Sequence, residues 1–253
     1  MPYEKRDYRR LQAGDDLIHF QVAYQETDLD IAIPRAQYTT DLAGRAERII
    51  RHYRRQLEAY IACDPVFGRT LMPCAVREDA PPIAREMAAA ARLAGVGPMA
   101  AVAGAMASYV AIDLVGREGE IIVENGGDIY LHSHRPRIIG IFAGTSPFSN
   151  RLAIKTDPRH SPLSICTSSG TVGPSLSFGC ADAAVILAAS AALADAVATA
   201  AGNAAGAPAD VAKAARMAAA IPGVLGAVII AGDKLAAWGE VNLVHPGAGI
   251  ENE

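Results

Sequence analysis

From Ala183 to Ala201 the chain reads AAVILAASAALADAVATAA, an apolar run in which Asp195 is the only ionisable side chain. A stretch so rich in alanine and so poor in charge can pack on every side, and it needs a core around it. Its length approaches that of a membrane span, but an acid near its middle would cost about 2.5 to 3.5 kcal/mol on insertion. It reads as a buried strand, Ala183 to Leu187, followed by a helix, with no membrane association expected. A carboxylate in such surroundings is expensive to bury without a partner. Thr199 follows one turn later, and residues at i and i+4 share a helical face, so a carboxylate and a hydroxyl can point at one spot. Two hard oxygens there suit Mg²⁺, which completes its octahedron with water or substrate phosphate. The pattern is short, and the competing arrangement has Asp195 facing solvent or accepting hydrogen bonds from the backbone of a nearby loop.

The 253 residues suffice for one large domain, or two closely associated lobes, without staples; one domain over 1–253 is the expectation, as no linker stands out. Cys63, Cys74, Cys166 and Cys180 show no C-x-x-C pairing. That spacing argues for reduced thiols in a cytoplasmic protein and against structural zinc. The N-terminus, MPYEKRDYRRLQAGDD, is charged and lacks the apolar core of a secretory signal. A formal charge of −4 offers no electrostatic footprint for nucleic acid, so small ligands are the expected partners.

Leu17 to Tyr24 and Leu29 to Ile33 flank a polar turn at Glu26, Thr27 and Asp28, the pattern of a β-hairpin. Leu42, Ile49, Ile50, Tyr53, Leu57 and Ile61 recur at helical spacing until Asp64-Pro65. The other face of that helix carries Arg45, Arg48, Arg51, Arg54 and Arg55, a solvated row or one that attracts phosphate or an acidic partner. Pro82 opens a second helix to about Leu93, and Gly95-Val96-Gly97-Pro98 separates it from a third, Met99 to about Ile112, with small residues on every side. Short strand-like runs follow at 121–123, 129–132, 138–142 and 152–155. After the Asp195 helix come another helix near 209–220 and a hairpin around Gly232-Asp233. Strands alternating irregularly with helices indicate an α+β fold.

Three clusters could carry chemistry. Glu124-Asn125-Gly126-Gly127-Asp128 is either a ligand loop, its glycines presenting N–H groups, or a plain hairpin turn. CTSSGTVGP, Cys166 to Pro174, gathers Thr167, Ser168, Ser169 and Thr171 beside Gly170, and can either grip phosphate or ribose or act as a Ser/Gly linker. His132 and His134 would share a strand face as a metal pair, or stand as surface histidines, since no third ligand is evident. Asp182, entering the buried strand, is a further acid of interest.

The order of the double-glycine turn, the Thr-Ser-Ser-Gly loop and Ala194-Asp195-Ala196-Val197-Ala198-Thr199 resembles the ApbE family of FAD-dependent flavin transferases. Gly170 to Ser175 and the L-A-D-A-x-A-T ending are similar to the ApbE-related group catalogued as UPF0280. The resemblance is firmest from about Met99 to Asn203. It implies an ApbE-like α+β fold with T-fold-like halves, mixed sheets packed against helices, and a flavin nucleotide, FAD or FMN, in a cleft with Mg²⁺ near its pyrophosphate. Asp195 and Thr199 would hold the metal with a backbone carbonyl near Ala103. Asn125, Gly126, Gly127 and Asp128, with Thr167, Ser168, Ser169 and Gly170, would line the ligand.

Departures from the family pattern also carry information. The transferases have a Lys-Gly pair where this chain has Gly104-Ala105, an Asn where it has Glu124, and a His-Ile-x-Asp-Pro-like segment where it runs SLSFGCADAAV. Two functions follow as expectations. One is transfer of FMN from FAD onto a Ser or Thr hydroxyl, with Asp182 as proton acceptor; the other is binding or turnover of a flavin, purine or pterin-like ring without protein flavinylation. The alanine-rich helices make a homodimer the expected assembly.

Overall fold

The computed structural model describes residues 16–171 and 178–247. Its first element is the expected hairpin, Leu17–Tyr24 (β1) and Thr27–Pro34 (β2). The turn is tighter than the sequence suggests: Gln25 takes a positive φ of 53° and Thr27 already pairs with Tyr24, so Thr27 and Asp28 begin β2. Helix α1, Leu42–Cys63, buries Leu42, Ala46, Ile50, Leu57 and Tyr60. Its arginine row is largely tied locally, Arg51 to Glu47, Arg54 to Glu26 and Glu58, and Arg45 to the Leu114 carbonyl, while Arg48 and Arg55 are exposed. Helix α2, Pro82–Ala94, starts on the proline and stops at Gly95 in the left-handed conformation, a glycine C-cap. A 3-10 turn, Pro98–Ala101, leads into α3, Val102–Val115. Pro98–Val115 is long and apolar enough to cross a membrane by composition, yet 56% of it is buried inside the protein, against α1, α2, α4 (Ala191–Ala204) and the sheet.

The remaining strands are Ile121–Asn125 (β3), Asp128–His132 (β4), Ile138–Gly140 (β5), Ala153–Lys155 (β6), Leu163–Ser168 (β7), Ala183–Ala188 (β8), Val224–Ala231 (β9), Lys234–Gly239 (β10) and Leu243–Val244 (β11), and α5 is Val211–Ala219. Eight strands form one sheet in the order β1-β2-β3-β4-β7-β8-β9-β10, and β11-β6-β5 form a second. The sheets expected to be mixed pair antiparallel throughout among the described residues. The large sheet repeats one plan twice, two strands, helices, then two strands, and the halves join where β4 pairs β7. These are the T-fold-like halves expected from the resemblance.

Period-two alternation sorts the sheet's side chains into two layers. Leu29, Ile31, Val123, Tyr130, Cys166, Ile186 and Ile229 face the helices, whereas Ile122, Ile129, Leu131, Ile165, Val185, Leu187 and Ile230 pack with Ile139 and Ile154 of the small sheet. With both faces covered, β8 reads as a continuous apolar run and is fully buried. Two elements escape the sequence reading. β7 starts three residues ahead of the hydroxyl-rich segment and takes in its first three residues, Cys166 to Ser168, and β11 is only two residues long.

Candidate functional site

The helix α4 begins with Ser190 as N-cap, its hydroxyl accepting the Leu193 N–H. Asp195 is thereby carried beneath the start of α3. Its Oδ2 accepts the N–H of Gly104 at 2.9 Å, and the Ala103 N–H adds a second backbone bond. First-turn amides of a helix have no intrahelical acceptor, so a carboxylate from a neighbouring helix satisfies them and meets the positive end of the dipole. The alternative of backbone donors to Asp195 is therefore realised, with a helix start as the donor. Gly104 makes the approach possible: a Cβ there would stand 2.3 Å from the Ala191 carbonyl oxygen and 2.9 Å from the Asp195 Cβ. Burial pushes the Asp195 carboxyl up to about 7, against the lowering effect of the two amides.

The double-glycine segment is a two-residue hairpin joining β3 to β4, with Gly126 and Gly127 at φ of 69° and 104°. Positive φ at both central residues is the demand of a type I′ turn, met by glycine without strain. The hairpin reading and the site reading hold together, because Asn125 and Asp128 are cross-strand partners and share a face. The Asn125 amide donates to the Ala103 carbonyl at 3.1 Å, which puts that face under α3. Asp128 is 7% exposed, with its Oδ1 buried and without a hydrogen-bond partner. Burial, then the Asp195 charge, hold its carboxyl well above the usual carboxylate range, while the Cys166 thiol and the Thr167 N–H act in the other direction. Cys166 is itself buried, and burial with the two acids beside it pushes its thiol up. Glu124 is fully buried on the other face, its Oε1 accepting the Gly127 N–H at 2.7 Å.

The hydroxyl-rich segment is divided. Thr167 and Ser168 end β7, not a loop, and alternate: Ser168 faces α4, where Gly202 lies 3.5 Å from its Oγ when a Cβ is added, while Thr167 faces away and offers its backbone beside Gly127. Ser169 and Gly170 follow, with the Gly170 N–H on the Ala181 carbonyl. Thr171 donates its hydroxyl to Asp182 Oδ1 at 2.8 Å, and Asp182 Oδ2 accepts the Gly232 N–H at 2.7 Å. Both oxygens of Asp182 thus tie the loop to the β9–β10 turn. Val172, Gly173, Pro174 and Ser175, part of the expected phosphate loop and of the family stretch, lie outside the described residues, as does the charged segment 1–15. Thr199 lies one turn beyond Asp195 on α4, half-buried and with no side-chain hydrogen bond among the described residues.

The structure therefore gathers Ala103, Gly104, Asn125, Asp128, Cys166 and Asp195 around one point. Cys166 and Gly104 were missed as site residues; a thiol between acids and a backbone N–H leave no motif in a single sequence. No third His, Cys, Asp or Glu joins the histidine pair among the described residues. His132 is buried and bonds the Gly119 carbonyl, and His134 is exposed and stacks edge-on against it at 5.3 Å. A cavity of about 780 Å³ lined by Lys155, His160, Leu187 and Glu240 opens on the sheet face opposite α4, away from these groups.

The gathered oxygens suit a hard divalent cation: carboxylate and carbonyl oxygens, with a buried carboxylate oxygen left unpartnered. That oxygen is the structural test, since an orphaned buried acceptor costs about 1 to 3 kcal/mol or more until a partner arrives.

A family model described as AbpE bacteria matches residues 8–231. UPF0280 proteins are similar along most of their length: that of Methanothrix thermoacetophila is 44% identical over 211 residues, 83% of this chain and 87% of its own. That of Methanosarcina acetivorans is 41% identical over 226 residues, 88% and 86%. Among solved structures, the flavin transferase ApbE from Vibrio cholerae superposes with a TM-score of 0.60 at 14% identity, covering 88% of this chain and 96% of that one. The apo flavinyl transferase ApbE of Pseudomonas stutzeri gives 0.59 at 15%, covering 88% and 93%. At such identity the likeness is one of fold.

Proposed function

The chain belongs to the AbpE bacteria family and stands with the UPF0280 proteins, and on that premise we propose that it binds a flavin or related nucleotide together with Mg²⁺ between α3, α4 and the β3–β4 turn. The observation that carries this reading is the meeting of Asp195 with the opening turn of α3, close enough to Asp128 for its charge to act on that acid, one of whose oxygens has no hydrogen-bond partner. Asp195, Thr199 and the Ala103 carbonyl would hold the metal, and Asn125 to Asp128 with Thr167 to Gly170 would line the nucleotide. Bound there, Mg²⁺ would offset the negative charge of a pyrophosphate. Asn125 keeps the Ala103 carbonyl oriented through its amide, and the α3 amides keep Asp195 from turning away. The protein acts in this reading as one domain, in the cytoplasm, where its four free thiols stay reduced. It assembles as a homodimer, which sedimentation would check.

FMN transfer from FAD is the first reaction to test. A Ser or Thr oxygen bonds to the FMN phosphorus, the bond to the AMP oxygen breaks, AMP leaves, and the hydroxyl proton passes to Asp182. For that role Asp182 Oδ1 would have to exchange the Thr171 hydroxyl it now accepts for the substrate's. One observation favours the second reading, binding without protein flavinylation: no side chain fits at Gly104, where the transferases carry their Lys-Gly pair. Titrating the purified protein with FAD, with and without Mg²⁺ and again on Asp195→Ala, tests the proposal. Saturable fluorescence quenching that needs Mg²⁺ and is lost in the variant is expected; FAD binding indifferent to both would refute it. A fluorescent adduct on a flavinylatable protein then separates transfer from binding alone.

A further inference from the structure

Resting on that metal-nucleotide reading, we infer that Asp128 is a second carboxylate for the cation, and that the divalent ion binds the protein before any nucleotide does. Metal ligation by Asp195, Thr199 and a carbonyl supplies one negative charge. A divalent ion there keeps an excess positive charge and waits for a pyrophosphate to balance it. Asp128 changes this arithmetic. Its carboxylate lies on the same sheet face as Asn125, which touches the Ala103 carbonyl, so it approaches the cation position from the strand side while Asp195 approaches from the helix side. One of its oxygens leans on the Cys166 thiol and the Thr167 N–H; the other, Oδ1, is buried with nothing to accept from.

The side-chain charges acting most strongly on Asp128 are Asp195 and Glu124, both negative. A hydrogen bond from Arg or Lys would be the ordinary way to satisfy such an oxygen, and Asp128 has none. Two buried carboxylates facing one space without a cationic side chain repel each other, and a divalent ion between them reverses the sign of that interaction at once. With Asp128 included, protein charge alone neutralises the ion. The cation then preorganises the Asn125–Asp128 turn for the nucleotide rather than arriving with it.

The test uses the full chain stripped of metal with EDTA and freed of nucleotide. Mn²⁺ is titrated and followed by electron paramagnetic resonance, and Mg²⁺ by calorimetry. The wild type should take up one Mn²⁺ per chain without nucleotide, and Asp128→Asn should weaken that uptake by about tenfold or more, as loss of one carboxylate ligand does. Adding FAD should restore most of the variant's uptake, because Asp195 and Thr199 remain. Equal Mn²⁺ affinity in the nucleotide-free variant and wild type would overturn the role of Asp128. Uptake by the wild type only when FAD is present would overturn the order of binding while leaving the nucleotide reading intact. Uptake in neither condition would remove both. If the variant does not fold, the two wild-type conditions still decide the order.

Discussion

Replacing Gly104 by alanine should unfasten α3 from α4 at the point where the site is built. An alanine Cβ would stand 2.3 Å from the Ala191 carbonyl oxygen, 2.8 Å from its carbon and 2.9 Å from the Asp195 Cβ. Backbone and a Cβ cannot rotate aside, so the helices must separate by about 1 Å to restore ordinary contact. Overpacking of this kind costs about 1 to 3 kcal/mol. Lengthening the 2.9 Å bond from the Gly104 N–H to Asp195 adds about 1.5 to 3 kcal/mol, because the acceptor is a buried acid. Against this stands a gain of about 1 kcal/mol from alanine's helix propensity, leaving a net loss of about 1.5 to 5 kcal/mol. For a chain of this length that is a melting temperature lower by roughly 3 to 20 °C. Gly44→Ala supplies the control. Gly44 is exposed in the first turn of α1, where a Cβ meets only Arg48 at 3.7 Å, so the same substitution should stabilise by about 0.5 to 1 kcal/mol. Calorimetric scans of both variants measure the contrast. A Gly104→Ala protein as stable as the wild type, or one that shifts in the same direction as Gly44→Ala, would refute the steric account and with it the explanation for the missing lysine.

Other expectations concern ties elsewhere. Asp182→Asn should cost about 1 to 2 kcal/mol, because the amide nitrogen replaces an acceptor for either Thr171 or Gly232; amide exchange at Gly232 would report which bond is lost. Asp16 is held below the ordinary carboxylate range first by its hydrogen bonds from Arg137. A depressed folded value means the stabilisation is complete above the unfolded value near 4 and disappears as pH falls through the folded one. Denaturant midpoints of the wild type should therefore drop faster below about pH 4 than those of Asp16→Asn, whose midpoint should be the lower of the two at pH 7. Gly179→Ala should destabilise strongly, since a Cβ there lies 1.8 Å from the Gly202 carbonyl oxygen; unfolding close to that of the wild type would refute the close approach of Gly179 to α4.

Much of the site could be read along the chain because its parts are local. Asn125 to Asp128 announces a type I′ turn through its glycines, and Asp195 stands out as the one charge in an alanine helix. The hydroxyls of Thr167 and Ser168, in a run leading to Gly170, suggest a loop, whereas alternation with Ile165 and Cys166 places them in a strand buried between β4 and β8. Composition could not reveal that Asp182 spends both oxygens on Thr171 and Gly232, since those partners come from distant turns.

The sequence by itself determined the elements: periodicity of 2 and 3.6 set β1, β2, α1 and α2, and the glycine at 95 set where α2 stops. Only the tertiary structure decided what Asp195 faces. Its donors lie 91 residues away at Gly104, and the acid that shares its space comes from β4. No pattern within one segment encodes that meeting, because it is fixed by which strands pair at the centre of the sheet and how closely a glycine lets two helices approach.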